Sequence, residues 1–579
     1  MPSQNKQLAE ILNQIADILE TQRVQWEPIA YRKAARAIES LPTEVSEIYK
    51  NGGMQALQEI SGVGKAISSH IEEFIRTGKI KKLEEISKKI PEGLLDLMKL
   101  GGVGPRKAIF LYKRLRIKTI EQLAAAAKAG KLRNLPGFRE KSEQNILASI
   151  EMFHKSKERY LLGEALPIAN EILSALRKNP AVARAELAGS SRRGKETVGD
   201  LDILVISKNP AVVMEFFTAL QDVARILGKG ETKSTVVLKN GLQADLRVLP
   251  AESYGAALQY FTGNVDHNVA LRGIAIGKGY KLSEYGLFNR RTEKFVAGKT
   301  EEEIYEKLGL RWIEPEMREN KGEIEASLAG KLPKLVQLSD IRGDFHIHTN
   351  WSDGNHSIEE MAMAAKNLGY EYIAITDHSK SEFQAHGMSE ERLEKYLHAI
   401  WEARKRIHGI KILAGSEVDI KPNGSLDYPE KILKKLDIVV ASVHSGFKSS
   451  EEKMTARVLV ALESGFVNIL GHPTGRLITR RKPFEINLEK IFKRAADLGV
   501  VLEVDGEMNR LDLRDDNIRL AIKHGCKLAI DTDSHDKNTL RFMELGVRTA
   551  RRGWARAEDV VNTFEFGKLK KVFGSVKVS

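Results

Sequence analysis

Residues 344–354, DFHIHTNWSDG, decide the reading of the C-terminal part of the chain. They set His346, His348 and Asp353 on one short apolar run and the turn that follows it. The pattern then returns. AITDHS offers His378, AGSEVDI offers Glu417, ASVHS offers His444, LGHP offers His472, and DTDSH offers Asp533 and His535. Most of these side chains close a run of buried type: IAI before Thr376-Asp377-His378, IVVAS before Val443-His444, VNIL before Gly471-His472, and KLAI before Asp531-Thr532-Asp533. Such runs predict buried strands, and helical stretches separate them, so residues 341–579 read as a repeating β/α barrel. Loops at the C-terminal ends of barrel strands bring distant residues together. Six imidazoles and three carboxylates suit Zn²⁺, Mn²⁺ or Fe²⁺ better than Ca²⁺. Nine ligands exceed one tetrahedral ion, which implies a cluster of two or three. A lone His at a strand end is more often a satisfied polar residue, so the recurrence carries the argument. Of the 14 His, 11 lie from His346 onward. His356, His386, His398, His408 and His524 fall outside the strand-end pattern and read as ordinary surface or helix residues.

A second constellation lies upstream. Gly189-Ser190-Ser191-Arg192-Arg193-Gly194 precedes Gly199-Asp200-Leu201-Asp202, and RAELAGSSRRGKETVGDLDILVIS predicts strands on either side of a glycine-bracketed turn. On a strand, Asp200 and Asp202 share a face. Asp245 in GLQADLRVLP supplies a third carboxylate on another predicted strand. Three carboxylates suit two Mg²⁺ or Mn²⁺ ions, the arrangement that clamps attacking and leaving oxygens in phosphoryl transfer. These groups should stay ionised well below the imidazole range. Gly189 and Ser190 offer a backbone approach and a hydroxyl to phosphate, and Arg193 a planar fork. Asp-x-Asp alone is common on surface strands. The upstream Gly-Ser and the third Asp make the combination specific.

Residues 1–150 read as helical, as in KQLAEILNQIADILETQ, AYRKAARAIESL and EQLAAAAKAGKL. Glycine-rich breaks interrupt them. ISGVGKAIS holds Gly62, Gly64 and Lys65, and LGGVGPRKA holds Gly102, Gly104 and Arg106. LPGFREKSEQNI keeps only Pro136-Gly137-Phe138. The first two have the Gly-hydrophobic-Gly turn of a helix-hairpin-helix, whose glycines let backbone N–H groups approach a phosphate without reading sequence. The chain carries a formal net charge of +13, and residues 1–150 hold 25 Lys and Arg against 17 Asp and Glu, a net of +8. That excess predicts a polyanionic partner, nucleic acid first. No apolar run approaches the roughly 20 residues that span a membrane, the N-terminus lacks a signal-peptide apolar region, and Cys526 is the only cysteine. A cytoplasmic setting is expected.

The barrel motifs resemble the polymerase and histidinol phosphatase (PHP) phosphoesterase domain, all nine of whose ligand positions are filled here. The Gly-Ser and Asp-x-Asp pattern resembles the nucleotidyltransferase superfamily. Within it the chain is similar to a family X DNA polymerase, from Leu8 to about Trp312, in the domain order of bacterial and archaeal members. The resemblance implies a multidomain α+β and α/β chain. Residues 1–85 would be a helical DNA-binding domain with a helix-hairpin-helix, and 86–150 a second such domain. A nucleotidyltransferase palm would follow at 151–255, a nucleotide-selecting thumb-like domain at 256–315, a linker with one helix at 316–340, and a distorted (β/α)7 PHP barrel at 341–579. It implies catalytic and metal-holding Asp200, Asp202 and Asp245, and Gly199 beside the nucleotide. Tyr260, Phe261 and Gly263, in a turn after a helix, would contact the sugar, Asn268 the base, and Arg272 the template strand. Gapped or nicked DNA and deoxynucleoside triphosphates are the implied partners of a monomer. Mg²⁺ or Mn²⁺ is implied for the palm, Mn²⁺ or Zn²⁺ for the barrel, and 3′–5′ exonuclease, in some members abasic-site cleavage, for the latter. The relative DNA polymerase beta removes 5′-deoxyribose phosphate through a Schiff-base lysine. His70 takes that place here, and imidazole cannot form an imine. Two other readings compete: a small-molecule phosphoesterase barrel beside a merely DNA-binding half, and a barrel whose metals only hold the fold. Intact palm carboxylates oppose the first, and nine ligands, where a structural Zn²⁺ needs four, oppose the second.

Overall fold

The computed structural model describes residues 4–21, 24, 26–39, 44–60, 62–87, 94, 97, 103, 105–136, 138–139, 142–144, 146–147, 150 and 159–574. The chain divides into two compact units, one of Met1–Arg159 with Asp222–Arg225 and Val237–Gln243, the other holding the remainder.

Up to residue 150 the first unit is helical among the described residues, as the sequence predicts. Helix Gln4–Thr21 buries Leu8, Leu12, Ile15 and Leu19, an i, i+4 and i+3 stripe. Helices Val45–Gln58 and Lys65–Thr77 flank the first glycine turn. Gly62 has φ +83°, and a Cβ there would lie 2.8 Å from Lys33 Cγ, so both conformation and packing require glycine. Gly64 is the N-cap of Lys65–Thr77, with open space around its Cα and no capping side chain. Gly102, Gly104 and Gly137 lie outside the described residues. Arg106 falls in helix Pro105–Leu115, and its side chain is outside them too.

From Tyr160 the chain forms β1 (Tyr160–Leu161), β2 (Arg184–Leu187), β3 (Thr197–Val198), β4 (Asp200–Ile206), β5 (Val223–Lys229), β6 (Lys233–Leu238) and β7 (Gln243–Leu249). Strands β2-β4-β7-β6-β5 form one sheet, and β2 pairs antiparallel with β4 from Arg184↔Ile206 to Leu187↔Ile203. The two strands predicted around the glycine turn are these. The turn itself holds the helical turn Gly189–Arg192. β5 and β6 were not predicted from the sequence. β8 (Tyr280–Ser283), β9 (Gly286–Asn289) and β10 (Phe295–Ala297) form a three-stranded sheet after helices Tyr254–Thr262 and Val265–Gly277.

Segment 316–340 carries its one helix, Glu323–Leu328, but it is no loose linker. Arg318 is fully buried. It shares Glu301 with Arg192: Arg318 Nη1 donates to Oε1 at 2.6 Å and Nη2 to Oε2 at 3.1 Å, while both Arg192 donors lie at 2.8 Å. Trp312 Nε1 donates to the same carboxylate at 3.1 Å. Burial alone would raise the Glu301 carboxyl. The two guanidiniums outweigh it and hold the group well below the usual carboxylate range. Glu301→Ala would leave two desolvated cations facing each other. It should lower stability by about 3–5 kcal/mol in urea unfolding, and Glu301→Gln by less. A loss under about 1 kcal/mol would contradict this.

The barrel strands are β11 (Gly343–Ile347), β12 (Tyr372–Ile375), β13 (Lys411–Asp419), β14 (Ile438–Ser442), β15 (Ile469–Leu470), β16 (Val501–Asp505) and β17 (Leu528–Asp531). They lie in sequence order and pair in parallel. Six of the seven are wholly buried, and β13 is buried from Ile412 onward, which explains their continuous apolar runs. β17 closes on β11: His348 N donates to Ser534 O at 2.8 Å and Ser534 N to His346 O at 3.3 Å. The predicted VNIL strand shrinks to Ile469–Leu470. Capping residues start the crossover helices, as where Ser357 Oγ accepts from Glu360 N at 3.2 Å and Glu360 Oε2 from Ser357 N at 2.9 Å.

Candidate active sites

All nine predicted barrel ligands converge at the C-terminal ends of the strands. Their distances divide them into three groups. In the first, Asp533 Oδ1 lies 3.6 Å from His346 Nε2 and 3.0 Å from His348 Nε2. In the second, Glu417 Oε1 lies 3.2 Å from His444 Nε2 and 2.8 Å from His472 Nε2. In the third, Asp353 Oδ1 lies 4.0 Å from His348 Nδ1, 3.6 Å from His378 Nε2 and 3.3 Å from His535 Nε2. Glu417 Oε2 ties the groups together, 3.4 Å from His346, 3.6 Å from His348 and 2.8 Å from His378. Among the described residues, His346 Nε2, both nitrogens of His348, His378 Nδ1, His472 Nδ1 and Glu417 Oε2 are buried without a hydrogen-bond partner. Orphaned buried donors and acceptors each cost about 1–3 kcal/mol. Cations would satisfy several of them at once, and the two nitrogens of His348 would need one each, so the residues fit a multinuclear divalent centre.

Carboxylates behind the imidazoles set their orientation. Glu503 Oε1 lies 2.6 Å from His346 Nδ1, which turns Nε2 to the centre, and Asp419 Oδ1 stands 2.6 Å from His444 Nδ1 in the same way. Asp377 accepts from Thr349 N at 2.8 Å and Ser352 N at 3.1 Å and so shapes the loop that bears Asp353. Burial works against protonating His444, but Glu417 and Asp419 overcome it and raise the ring to about 10. Burial, reinforced by the charges of His535 and His378, drives His348 down to about 3. Sequence reading missed Glu503 and Asp419. The signal was an acidic residue inside a buried strand. His356 Nδ1 lies 3.6 Å from Asp536 Oδ2, and it, His386, His398, His408 and His524 join none of the three groups.

In the palm, Asp200, Asp202 and Asp245 come together across adjacent strands β4 and β7, with alternate residues buried behind them. Gly189, at φ +62°, has no room for a side chain: a Cβ would stand 2.2 Å from Asp202 Oδ2. Lys233 Nζ lies 3.3 Å from Asp245 Oδ2. Burial, then the charges of Asp200 and Asp245, push Asp202 up to about 7. The expectation that every palm carboxylate stays ionised well below the imidazole range therefore fails for Asp202, because it shares a desolvated face with two like charges. A raised carboxyl holds its proton below pH 7, and a cation must displace it. Mg²⁺ affinity at the palm should rise about tenfold per pH unit up to about 7 and level off above it. Titration calorimetry between pH 5.5 and 8.5 checks this, and a flat profile below 7 would contradict it.

Arg193 is engaged already. Its Nε donates to Glu319 Oε1 at 3.0 Å and its Nη1 to Thr262 O. Ser190 and Gly199 are half-buried near Asp200 in the chain. Tyr260 and Phe261 sit in the last turn of helix Tyr254–Thr262, not in a turn after it, with ring centroids 5.1 Å apart. Gly263 follows at φ +68°. Asn268 Nδ2 donates to Tyr260 O at 2.7 Å, and Arg272 lies one turn further along Val265–Gly277. In the first unit, His70 Nδ1 lies 3.0 Å from Tyr31 OH. The lysine beside this pair is Lys82, with Nζ 5.1 Å from the Tyr31 ring centroid.

Comparison with known proteins gives the same division. Residues 3–80 match the helix-hairpin-helix domain, 94–151 the SAM-like helix-hairpin-helix tandem, 257–319 the DNA polymerase beta thumb, and 344–506 the PHP domain. The chain is 38% identical over 535 residues, 92% of each protein, to the DNA polymerase/3′-5′ exonuclease PolX of Bacillus subtilis (strain 168). It is 27% identical over 355 residues to DNA polymerase lambda of Arabidopsis thaliana, 55% of this chain and 62% of that one. A probable phosphatase of Thermoanaerobacter sp. (strain X514) is 31% identical over 240 residues, 39% of this chain and 92% of that one. No helix among the described residues is long and apolar enough to cross a membrane. With identity to one polymerase across nearly all of both proteins, and a palm and a barrel each holding its acidic or imidazole set, the chain belongs to the family X DNA polymerases that carry a C-terminal PHP domain.

Proposed function

We infer that this polymerase adds deoxynucleotides to a primer 3′-hydroxyl at the palm and removes 3′ nucleotides at the barrel, in gap-filling and base-excision repair of DNA. Abasic-site cleavage is a further reading for the barrel. One observation carries the proposal: the chain holds two clusters of metal-ligating side-chain types that share no residue, Asp200, Asp202 and Asp245 in one and the nine barrel residues in the other.

Divalent ions, Mg²⁺ or Mn²⁺ in the palm and Mn²⁺ or Zn²⁺ in the barrel, would supply the positive charge that phosphoryl transfer needs. The residues of the chain position it. Asp200 and Asp202 would hold ions and triphosphate, and Asp245 would accept the proton of the primer hydroxyl. Gly189, Ser190, Arg193 and Gly199 would take the triphosphate, Asn268 the base and Arg272 the template. Gly62, Gly64, Lys65, Gly102, Gly104 and Arg106 would take backbone phosphates of gapped or nicked DNA. In the barrel Glu417 would join the groups, while Glu503 and Asp419 fix the His346 and His444 rings. Tyr260 would press on the 2′ position of the sugar. Tyr260→Ala should raise ribonucleotide incorporation more than it lowers deoxynucleotide incorporation. Equal effects would leave Tyr260 as packing.

The similarity to a probable phosphatase favours a second reading, a barrel that acts on small phosphoesters. A labelled primer-template with Mn²⁺, with and without nucleotides, tests both. Extension with nucleotides and stepwise shortening without them are expected. Phosphate release from mononucleotides with an intact primer would overturn the nuclease reading.

A further inference from the structure

Arg510 stands in the loop after β16, the only Lys or Arg among the described residues that pairs with any of the nine barrel ligands. Its Nε lies 3.4 Å from Asp533 Oδ2 and 3.5 Å from Asp505 Oδ2. Both separations are long for hydrogen bonds. Its Nη1 is buried and has no hydrogen-bond partner. Asp533 turns its other oxygen to His346 and His348, so Arg510 abuts the barrel centre through a shared carboxylate. Among the described residues, no side chain or backbone group takes up Nη1 of this fork.

The backbone beneath it is fixed. Arg476 Nε donates to Arg510 O at 2.8 Å and its Nη2 to Leu511 O. Ile478 N donates to Asn509 O at 2.6 Å, Arg510 N to Glu507 O at 2.8 Å, and Glu507 N to Asp505 Oδ1 at 2.7 Å. The Asp512 carboxylate accepts from Thr474 N and Oγ1, both at 2.9 Å. The same Nη2 lies 2.8 Å from Glu196 Oε2 of the palm. Neighbouring Arg481 is already used, donating to Gly475 O at 2.8 Å with its guanidinium 4.0 Å from the Phe447 ring centroid. A preorganised, desolvated guanidinium with unused donors beside a cation centre suits a phosphate oxygen.

We propose that Arg510 binds a non-bridging oxygen of the phosphate that the barrel acts on, so that substrate is held by the metal centre and a guanidinium together. This rests on the reading of the barrel as a nuclease. The alternative is a counter-ion that only neutralises Asp505 and Asp533.

The test uses the full chain loaded with Mn²⁺, as wild type, Arg510→Met and Arg510→Lys. Metal content is measured by elemental analysis, binding of deoxyadenosine 5′-monophosphate by calorimetry, and trimming of a labelled oligonucleotide by its KM and kcat. Unchanged metal content is expected in both variants. Monophosphate binding should weaken about 10- to 100-fold in Arg510→Met, with KM raised in step. Arg510→Lys keeps the charge but not the fork and should fall between. Ions lost from Arg510→Met would make Arg510 a counter-ion and overturn the proposal. Unchanged monophosphate affinity would do the same. Should Arg510→Met fail to fold, Arg510→Lys decides by its monophosphate affinity. A wild type that binds the monophosphate yet trims nothing would sink the nuclease reading and leave the phosphate site standing.

Discussion

Asp200→Ala with Asp202→Ala should abolish primer extension, by about a thousandfold or more, while the same protein still shortens DNA. Asp200 and Asp202 project from one face of β4 beside Asp245 on β7, and they would hold both ions of the palm. Electrostatic stabilisation by such ions is worth several kcal/mol, and each 1.36 kcal/mol is tenfold in rate. The double variant removes none of the nine barrel ligands. Fold should survive, because burying fewer carboxylates relieves repulsion. A double variant that still extends a primer would remove these residues from the catalytic role.

His346→Ala with His348→Ala should do the reverse. His346 belongs to the group around Asp533, and His348 faces that group through Nε2 and the Asp353 group through Nδ1. Their loss takes ligands from two of the three groups, so bound metal measured on the purified protein should fall by at least one ion per chain. Trimming should become undetectable and extension stay within about twofold. The change also takes from Glu503 Oε1 its partner His346 Nδ1, while the bond from His472 N to Oε2 remains, so some loss of thermal stability is expected. Loss of both activities together would mean that the barrel ions hold the fold. Trimming that survives would place the nuclease elsewhere.

The nine barrel residues were legible because a β/α repeat gives each a local signature, an apolar run with a polar residue at its end. Three-dimensional convergence then follows from topology. Glu503 was illegible for the opposite reason. It lies inside the run VLEVD, where an acidic residue reads as a break in a strand. Its pairing with His346 Nδ1 and the bond that it accepts from His472 N, both distant in the chain, make a carboxylate acceptable there. Segment 316–340 misled in the same way. Its charges suggest solvent, yet Arg318, Glu316 and Glu323 are buried against Glu301, Arg551 and His267. The face shared by Asp200 and Asp202 followed from the two-residue period of a strand. The rise of Asp202 toward neutrality did not, because burial and the approach of Asp245 are tertiary facts. Tyr260 and Phe261 moved from a turn into a helix end because Gly263, not Tyr260, breaks the helix.

One chain is expected to hold two chemically self-sufficient centres. A labelled primer-template with Mn²⁺ should be given the Asp200/Asp202 double variant, the His346/His348 double variant, and an equal mixture of them, each with and without nucleotides. Shortening only by the first, extension only by the second, and both in the mixture is the predicted result. A His346/His348 variant that cannot extend, or an Asp200/Asp202 variant that cannot shorten, would contradict it.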